Sequence, residues 1–335
     1  MTERTLAAGT AAAMAGRDID ILAIGEINPD IIVSDPDPVP VFNEVERVVG
    51  SVHMTVGSSS AIFACGAARL ELTVAFFGVV GDDAFGRFML DAMRARAIDV
   101  SACVVDPARS TGATVILTSG RDRAILTEMG TIGAMDVDAI PGSLIDRARH
   151  IHSGCFYLQE TSRERLPGFF AAARARGITT SFDTNWDPTE SWDGGVAEML
   201  GACDVFFPNA AEARRIARLD DVEEAARSLA RTGARGRSDG GPIVAVKLGA
   251  AGALACRADG LLVRVPAMRV EPLDTTGAGD SFNAGFLRAW LDGADLRECL
   301  RWGAVSGAIS TQRLGGIDGQ PTLDEALAAL KGWSQ

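Results

Sequence analysis

Lysine is almost missing from this 335-residue sequence. Only Lys247 and Lys331 occur, and every other basic side chain is Arg. Neither lysine follows a glycine, which excludes a Walker-type phosphate loop with its Gly-Lys-Ser/Thr step. Histidine is scarce too, at His53, His150 and His152. Zinc sites and His-based triads therefore start with few candidates. His150 and His152 flank Ile151, which places both on one face of a strand. They read as a polar strand face rather than a metal pair. The six cysteines, Cys65, Cys103, Cys155, Cys203, Cys256 and Cys299, form no Cys-x-x-Cys. Most lie in apolar runs, so they read as small buried hydrophobes in a reducing compartment. No apolar run reaches the ~18 residues that span a bilayer. Residues 1–18, rich in Ala and Thr with scattered charges, lack a signal-peptide layout. The expectation is a loose N-terminal tail on a cytoplasmic protein. Acidic residues outnumber basic ones, 44 to 32, for a net charge of −12. That balance leaves no electrostatic footprint for nucleic acid or an anionic membrane.

What is present is ordinary globular composition, 47% hydrophobic and 23% charged. At ~150 residues per domain, the length fits two domains or one large α/β domain with an attachment. A strand over Ile19–Ile24 ends at Gly25. Further strands are expected at Thr73–Val80, His150–Ser153, Ile178–Asp183, Val205–Phe207 and Ile243–Leu248. Helical patterns lie at 85–96, 162–176, 190–201 and 210–232. Such alternation predicts βαβ units, a mostly parallel sheet with helices on both faces. Ligands of such sheets bind at the carboxyl ends of the strands. Three of those ends are polar: Gly25-Glu26-Ile27-Asn28-Pro29-Asp30, Asp183-Thr184-Asn185 and Pro208-Asn209. Residues 31–56 and 110–131 break the alternation with β-branched runs. They predict a small inserted sheet, a lid that excludes water. Residues 234–242 read as a polar surface loop.

The most informative stretch is Asp274-Thr275-Thr276-Gly277-Ala278-Gly279-Asp280-Ser281-Phe282, which opens an apolar-periodic helix through Phe286, Leu287, Trp290 and Leu291. Glycines at a helix entrance let the backbone approach a ligand. The free N–H groups and the positive helix end favour an anion. An acid in the same turn suits phosphoryl transfer: N–H groups hold the migrating group and Asp280 takes the hydroxyl proton. The competing reading is a tight turn whose acids merely favour the helix dipole. A dinucleotide fingerprint is excluded, because Phe282 stands where the third Gly belongs.

Taken whole, this stretch resembles the C-terminal signature of the ribokinase-like (PfkB) carbohydrate kinases. Other markers are similar too: Val80-Gly81-Asp82-Asp83-Ala84-Phe85-Gly86, Pro208-Asn209-Ala210-Ala211-Glu212 and Val246-Lys247-Leu248-Gly249-Ala250-Ala251-Gly252. The resemblance runs from about Ile19 to Trp333. It implies a three-layer α-β-α fold over 19–335 with an inserted β lid. It also implies Asp280 as base and Gly277, Ala278 and Gly279 as an anion hole. Asn209 and Glu212 would organise Mg²⁺ and its waters, although Asn209 with Glu212 is also a capping-box pattern. Lys247, Gly249, Gly252 and Asn185 fall on the ATP side. Asp274 and Thr276, with carbonyls in 310–315, match a monovalent-cation site such as one for K⁺; simple turn capping is the alternative.

The acceptor side would use Asn28, Asp30 and the loop Gly57-Ser58-Ser59. Here the sequence departs from the family. Ser58 stands for a second Gly, Ser59 for the Lys of ribokinase itself, and Ile62 for a sugar-binding Asn. Losing the Lys argues against an anionic sugar. Asp187 replaces the Arg of Asp-x-Asn-x-Arg and cannot hold phosphate as Arg does. The expectation is an ATP-dependent kinase acting on a hydroxymethyl group of a small sugar. A nucleoside is the alternative acceptor, with Ile62 and Phe42 as possible base contacts. A non-catalytic sensor is a third reading. Lids of such kinases often pair, which predicts a homodimer through the lid.

Overall fold

Ile19–Ile24 is apolar on both sides, and the fold uses both. In this computed structural model, which describes residues 16–119 and 123–333, Ile21 and Ala23 enter one core while Leu22 and Ile24 enter another. Val74 and Phe76 against Ala75 and Phe77 repeat the split. A strand buried on both faces needs helices on both faces. In chain order the elements are β1 (Ile19–Ile24), β2 (Pro29–Ser34), β3 (Ser51–Val56), α1 (Ser59–Arg69), β4 (Val74–Phe77), β5 (Val79–Gly81), α2 (Ala84–Arg94), β6 (Val104–Asp106), β7 (Ala113–Thr118) and β8 (Arg123–Glu128). They continue as α3 (Gly142–Arg147), β9 (Ala148–Ser153), α4 (Leu166–Ala175), β10 (Thr179–Phe182), α5 (Val196–Ala202), β11 (Val205–Phe206), α6 (Ala210–Ala217) and α7 (Val222–Ala234). The last are β12 (Ile243–Lys247), β13 (Ala253–Cys256), β14 (Leu262–Val265), α8 (Ala278–Leu291), α9 (Leu296–Ser310) and α10 (Leu323–Gly332).

The large sheet has the order β14-β13-β12-β11-β10-β9-β1-β4. Its strands are parallel from β4 to β12, and β13 and β14 return antiparallel. The chain steps from β1 to β4 on one side and later to β9 on the other. That reversal puts the ligand crevice at the carboxyl end of β1. The expected lid is a second sheet, β3-β2-β7-β8.

Local chemistry adjusts several expected elements. The run 73–80 is two strands. After Phe77 the chain leaves the large sheet, Gly78 O accepts from Val104 N (2.9 Å), and β5 pairs with β6. The helix expected over 210–232 is also two: Arg218 turns left-handed (φ 56°) and Asp221 caps α7 through Glu224 N. Helix α5 starts only at Val196, because Gly194 and Gly195 both have positive φ. Arg17, expected in the N-terminal tail, is tied down, its guanidinium bonding Gly177 O and Arg176 O; the rest of that expectation, residues 1–15, lies outside the described residues. His150 and His152 do share a face, but it is buried. Both bond Ser181 Oγ at 2.7 Å, and burial holds both well below the usual imidazole range. All six cysteines are free. No helix among the described residues is long and apolar enough to cross a membrane.

Candidate active site

The entrance of α8 is the centre of the site. Gly277 caps it with φ 71°, where an added Cβ would lie 2.7 Å from Gly316 O. Only glycine fits that left-handed, crowded position. The Ala278 N–H bonds Thr275 O at 3.3 Å. No described residue accepts from the N–H of Gly277 or Gly279, as expected of a helix first turn. Asp280 sits in that turn and accepts a hydrogen bond from Ser59 Oγ at 2.5 Å. Burial, reinforced by the Asp183 carboxylate, pushes Asp280 up to about 7.

Ser59 is one of the residues expected on the acceptor side. The serine run is the start of α1: Ser58 is its N-cap, accepting from Ala61 N at 3.0 Å. Gly57 lies so close to Asp30 that a Cβ there would be 2.1 Å from Asp30 Oδ1. The Asp30 carboxylate is buried and takes no hydrogen bond from a described side chain. Burial raises it to about 7, although Arg123 nearby works against the shift. Asn28 is also buried, with its amide on Thr114 Oγ1 of the lid (3.4 Å). Gly57 packs on Asp30, and Ser59, two residues on, bonds the Asp280 carboxylate, so this loop links the end of β1 to the entrance of α8. Ile62 does not face a ligand: it is buried and packs under Gly277 and Gly316. Phe42 is 86% exposed and lines nothing.

On the other side, Lys247 ends β12 and pairs with the buried Asp183 at the end of β10. Burial works against the ammonium, but the carboxylates of Asp183, Glu212 and Asp280 outweigh it and raise its pKa. A Cβ on Gly279 would meet Lys247 Nζ at 3.4 Å, so this amine borders the entrance of α8. Asn209 and Glu212 form a capping box: Asn209 N bonds Glu212 Oε2 at 2.8 Å and Asn209 Oδ1 accepts from Glu212 N at 2.9 Å. Burial and the nearby Asp183 raise Glu212 to about 7. Asn185 is exposed with φ 56°, its N–H on Asp183 Oδ1 (3.2 Å). Gly249 and Gly252 frame the exposed turn between β12 and β13.

Three expected residues have a structural explanation. Asp187 accepts from Thr189 N, Thr189 Oγ1, Ser191 Oγ and Trp192 N, so it ties a loop and does not face the phosphate side. That loop carries Trp192, and Arg215 stacks over Trp186 and Trp192 at 5.0 and 5.5 Å. Asp83 caps α2 through Gly86 N and also accepts from Thr111 N, joining the core to the lid. Asp274 accepts from Thr276 N, Thr276 Oγ1 and Gly315 N, and Arg123 NH1 donates to Thr276 Oγ1 at 3.1 Å. A guanidinium thus stands against that hydroxyl, and the Asp274 carboxylate is held in turn-capping bonds. Sequence reasoning also missed residues. Asn283, which bonds Asp183 Oδ2 at 2.8 Å, lies one turn beyond Asp280, and helical spacing signals it. Glu26 and Arg123 carry no local motif.

A parallel sheet whose crevice meets an acid at a glycine-capped helix entrance, under a β lid, is the layout of the ribokinase-like phosphotransferases. The sequence pattern of the pfkB family of carbohydrate kinases matches residues 18–323, and the chain belongs to that family. It is 29% identical to an ATP-dependent ribose-1-phosphate kinase of Halopiger xanaduensis, covering 93% of this chain and 98% of that one. It is 28% identical to a nucleoside kinase of Methanothermobacter thermautotrophicus, covering 92% and 95%. The solved Arabidopsis thaliana ribokinase complexed with ribose and ATP superposes with TM-score 0.79 at 22% identity, covering 94% of this chain and 99% of that one.

Proposed function

We propose that the protein transfers the γ-phosphoryl group of ATP to a hydroxymethyl group of a small sugar. The observation that carries this reading is the position of Asp280. It lies in the first turn of α8, beside free N–H groups, and is bonded by Ser59 of the loop that packs on Asp30. The carboxylates of Asp30 and the amide of Asn28 hold acceptor hydroxyls, with Gly57, Ser58 and Ser59 closing over them. Asp280 takes the proton of the attacking hydroxyl, and the free N–H groups of Gly277 and Gly279, joined by that of Ala278 when it releases Thr275 O, receive the charge that develops on the phosphoryl oxygens. Lys247, Asn209, Asn185, Gly249 and Gly252 line the nucleotide side. The buried acids Glu212 and Asp183, facing one cation, suit Mg²⁺, a hard ion that keeps waters and neutralises phosphate charge when bound. A lid over the crevice excludes water.

A second acceptor class has a specific observation behind it. Arg123 is on the face of β8 that, with Asp30 on β2, looks toward Thr276, and it supplies the cation missing at Ser59. That favours a sugar bearing a phosphate or carboxylate. The test is ATP consumption by the purified protein with Mg²⁺ and a panel of neutral sugars, sugar phosphates and nucleosides. Acceptor-dependent ADP release with a sugar supports the reading, and the preferred arm names the class. Release with nucleosides alone moves the acceptor but keeps the chemistry. No acceptor-dependent release with any of them overturns it.

The lid supports a homodimer. In register, Val52 and Met54 of β3, Ile31 and Val33 of β2, Val115 and Leu117 of β7, and Leu126 of β8 form one apolar face. Val52 and Leu126 are each 62% exposed. A sheet face of this kind is an association surface, and a second copy presents the same face under two-fold symmetry. Light scattering should give twice the mass of one chain, and Val52→Asp with Leu126→Asp should give a monomer. A wild-type monomer at micromolar concentration overturns this.

A further inference from the structure

Glu26, just past β1, is only 3% exposed and has no basic partner among the described residues. Its contacts straddle Ser59. The Glu26 backbone carbonyl accepts from Ser58 Oγ at 2.7 Å. Its carboxylate accepts from Ser60 N at 3.0 Å and from Ser60 Oγ at 2.7 Å. Gln159 Nε2 adds a third bond to the carboxylate, at 3.1 Å. The backbone is shaped to seat Ser60. A Cβ at Gly25 would lie 2.2 Å from Ser60 Oγ, and one at Gly154 would lie 2.6 Å from it. Both chain neighbours of Ser59 are therefore fixed by one residue, and Ser59 itself bonds Asp280.

We propose that Glu26 is a positioning residue that holds the Ser59 hydroxyl on Asp280 and so aims the base. The inference rests on Asp280 acting as the base. Burial raises the Glu26 carboxyl above the usual carboxylate range, and the Ser60 hydroxyl and N–H oppose that shift by favouring its charged form. The groups facing Asp280 are Asp183 beyond β10, Lys247 on β12, Cys155 beyond β9 and Glu26 itself. Glu26 adds negative charge to that set, and its removal favours ionisation of Asp280. A glutamine at 26 keeps the shape. Gln159 Oε1 is buried without a partner, so flipping that amide would accept a bond from the new one.

Three variants separate aim from charge. Glu26→Ala should lower kcat about 10- to 100-fold, the cost of a misplaced catalytic group, with KM for ATP within about twofold. Glu26→Gln should restore most of kcat while the acid limb of the pH–rate profile moves down by about half a unit. Ser60→Ala, which loses one bond and no charge, should lower kcat about 3-fold without moving the limb. Melting curves establish that each variant is folded, and if Glu26→Ala is not, Ser60→Ala decides. Wild-type kcat in the folded Ala variants overturns the proposal, and so does a parallel loss of ATP binding. Asp280→Asn separates the two levels: turnover retained there removes the base itself, whereas an inactive Asp280→Asn beside a normal Glu26→Ala removes only the positioning role.

Discussion

Replacing Asp280 by Asn should lower kcat by about 10²- to 10⁴-fold, the range general-base catalysis supplies. The amide has nearly the same shape, so Ser59 can still bond position 280 and α8 keeps its entrance. What is lost is a group that accepts a proton. Binding of ATP, measured by calorimetry, should be preserved or slightly tightened, because a negative charge leaves the neighbourhood of the phosphates. A variant with turnover within tenfold of wild type would show that Asp280 is only a helix-end acid. A variant that lost ATP binding in step with turnover would assign it to the nucleotide instead. A non-catalytic sensor predicts neither loss.

The second large effect is on stability. Lys247→Met should destabilise the protein by about 3–5 kcal/mol, the cost of leaving one partner of a buried ion pair behind. Asp183 is buried and keeps only the Asn283 amide and the Asn185 N–H as neutralising partners. Its charge also raises the pKa values of Glu212 and Asp280 in the same cluster. Denaturant midpoints measure the change. Asp183→Asn in the Lys247→Met background should recover part of it, because the orphaned charge is then gone. A single-variant loss below about 1 kcal/mol would mean that solvent already screens the pair.

Much of this arrangement was legible in the residues. The alternation of strands and helices gave the layered sheet, and the polar strand ends marked the crevice. The helix entrance at Gly277–Asp280 announced its chemistry locally, because a glycine pair and an acid in one turn suffice to describe it. Helix α1 was not legible as a helix. Ser59–Ala67 is buried on every side, so it shows no polar face for a periodicity to reveal. The cluster around Asp183 was not legible either, because its members come from the ends of β10 and β12, α6 and α8 and meet only through the sheet order. Asp187 stands where the family pattern has an Arg, and its loop-tying bonds supply the reason an acid stands there. Arg123 lies on a lid strand 153 residues from Thr276. With a Ser at position 59, Arg123 is the guanidinium that the lid brings to Thr276 in place of a local Lys.

The central claim is that the Asp280 carboxylate accepts the hydroxyl proton, and the pH dependence of kcat/KM tests it most directly. Asp280 stands raised to about 7, with burial as the main cause. Below that pH it is protonated and cannot accept, and above it the base is ready. The predicted profile therefore falls tenfold per unit below about pH 7 and levels off above it. Asp30 and Glu212 are raised into the same range, so the profile is repeated in Asp30→Asn and in Glu212→Gln, where the falling limb should persist. A profile flat from about pH 5.5 to about pH 8, or a limb abolished by Asp30→Asn or Glu212→Gln, would contradict the assignment of Asp280 as the base.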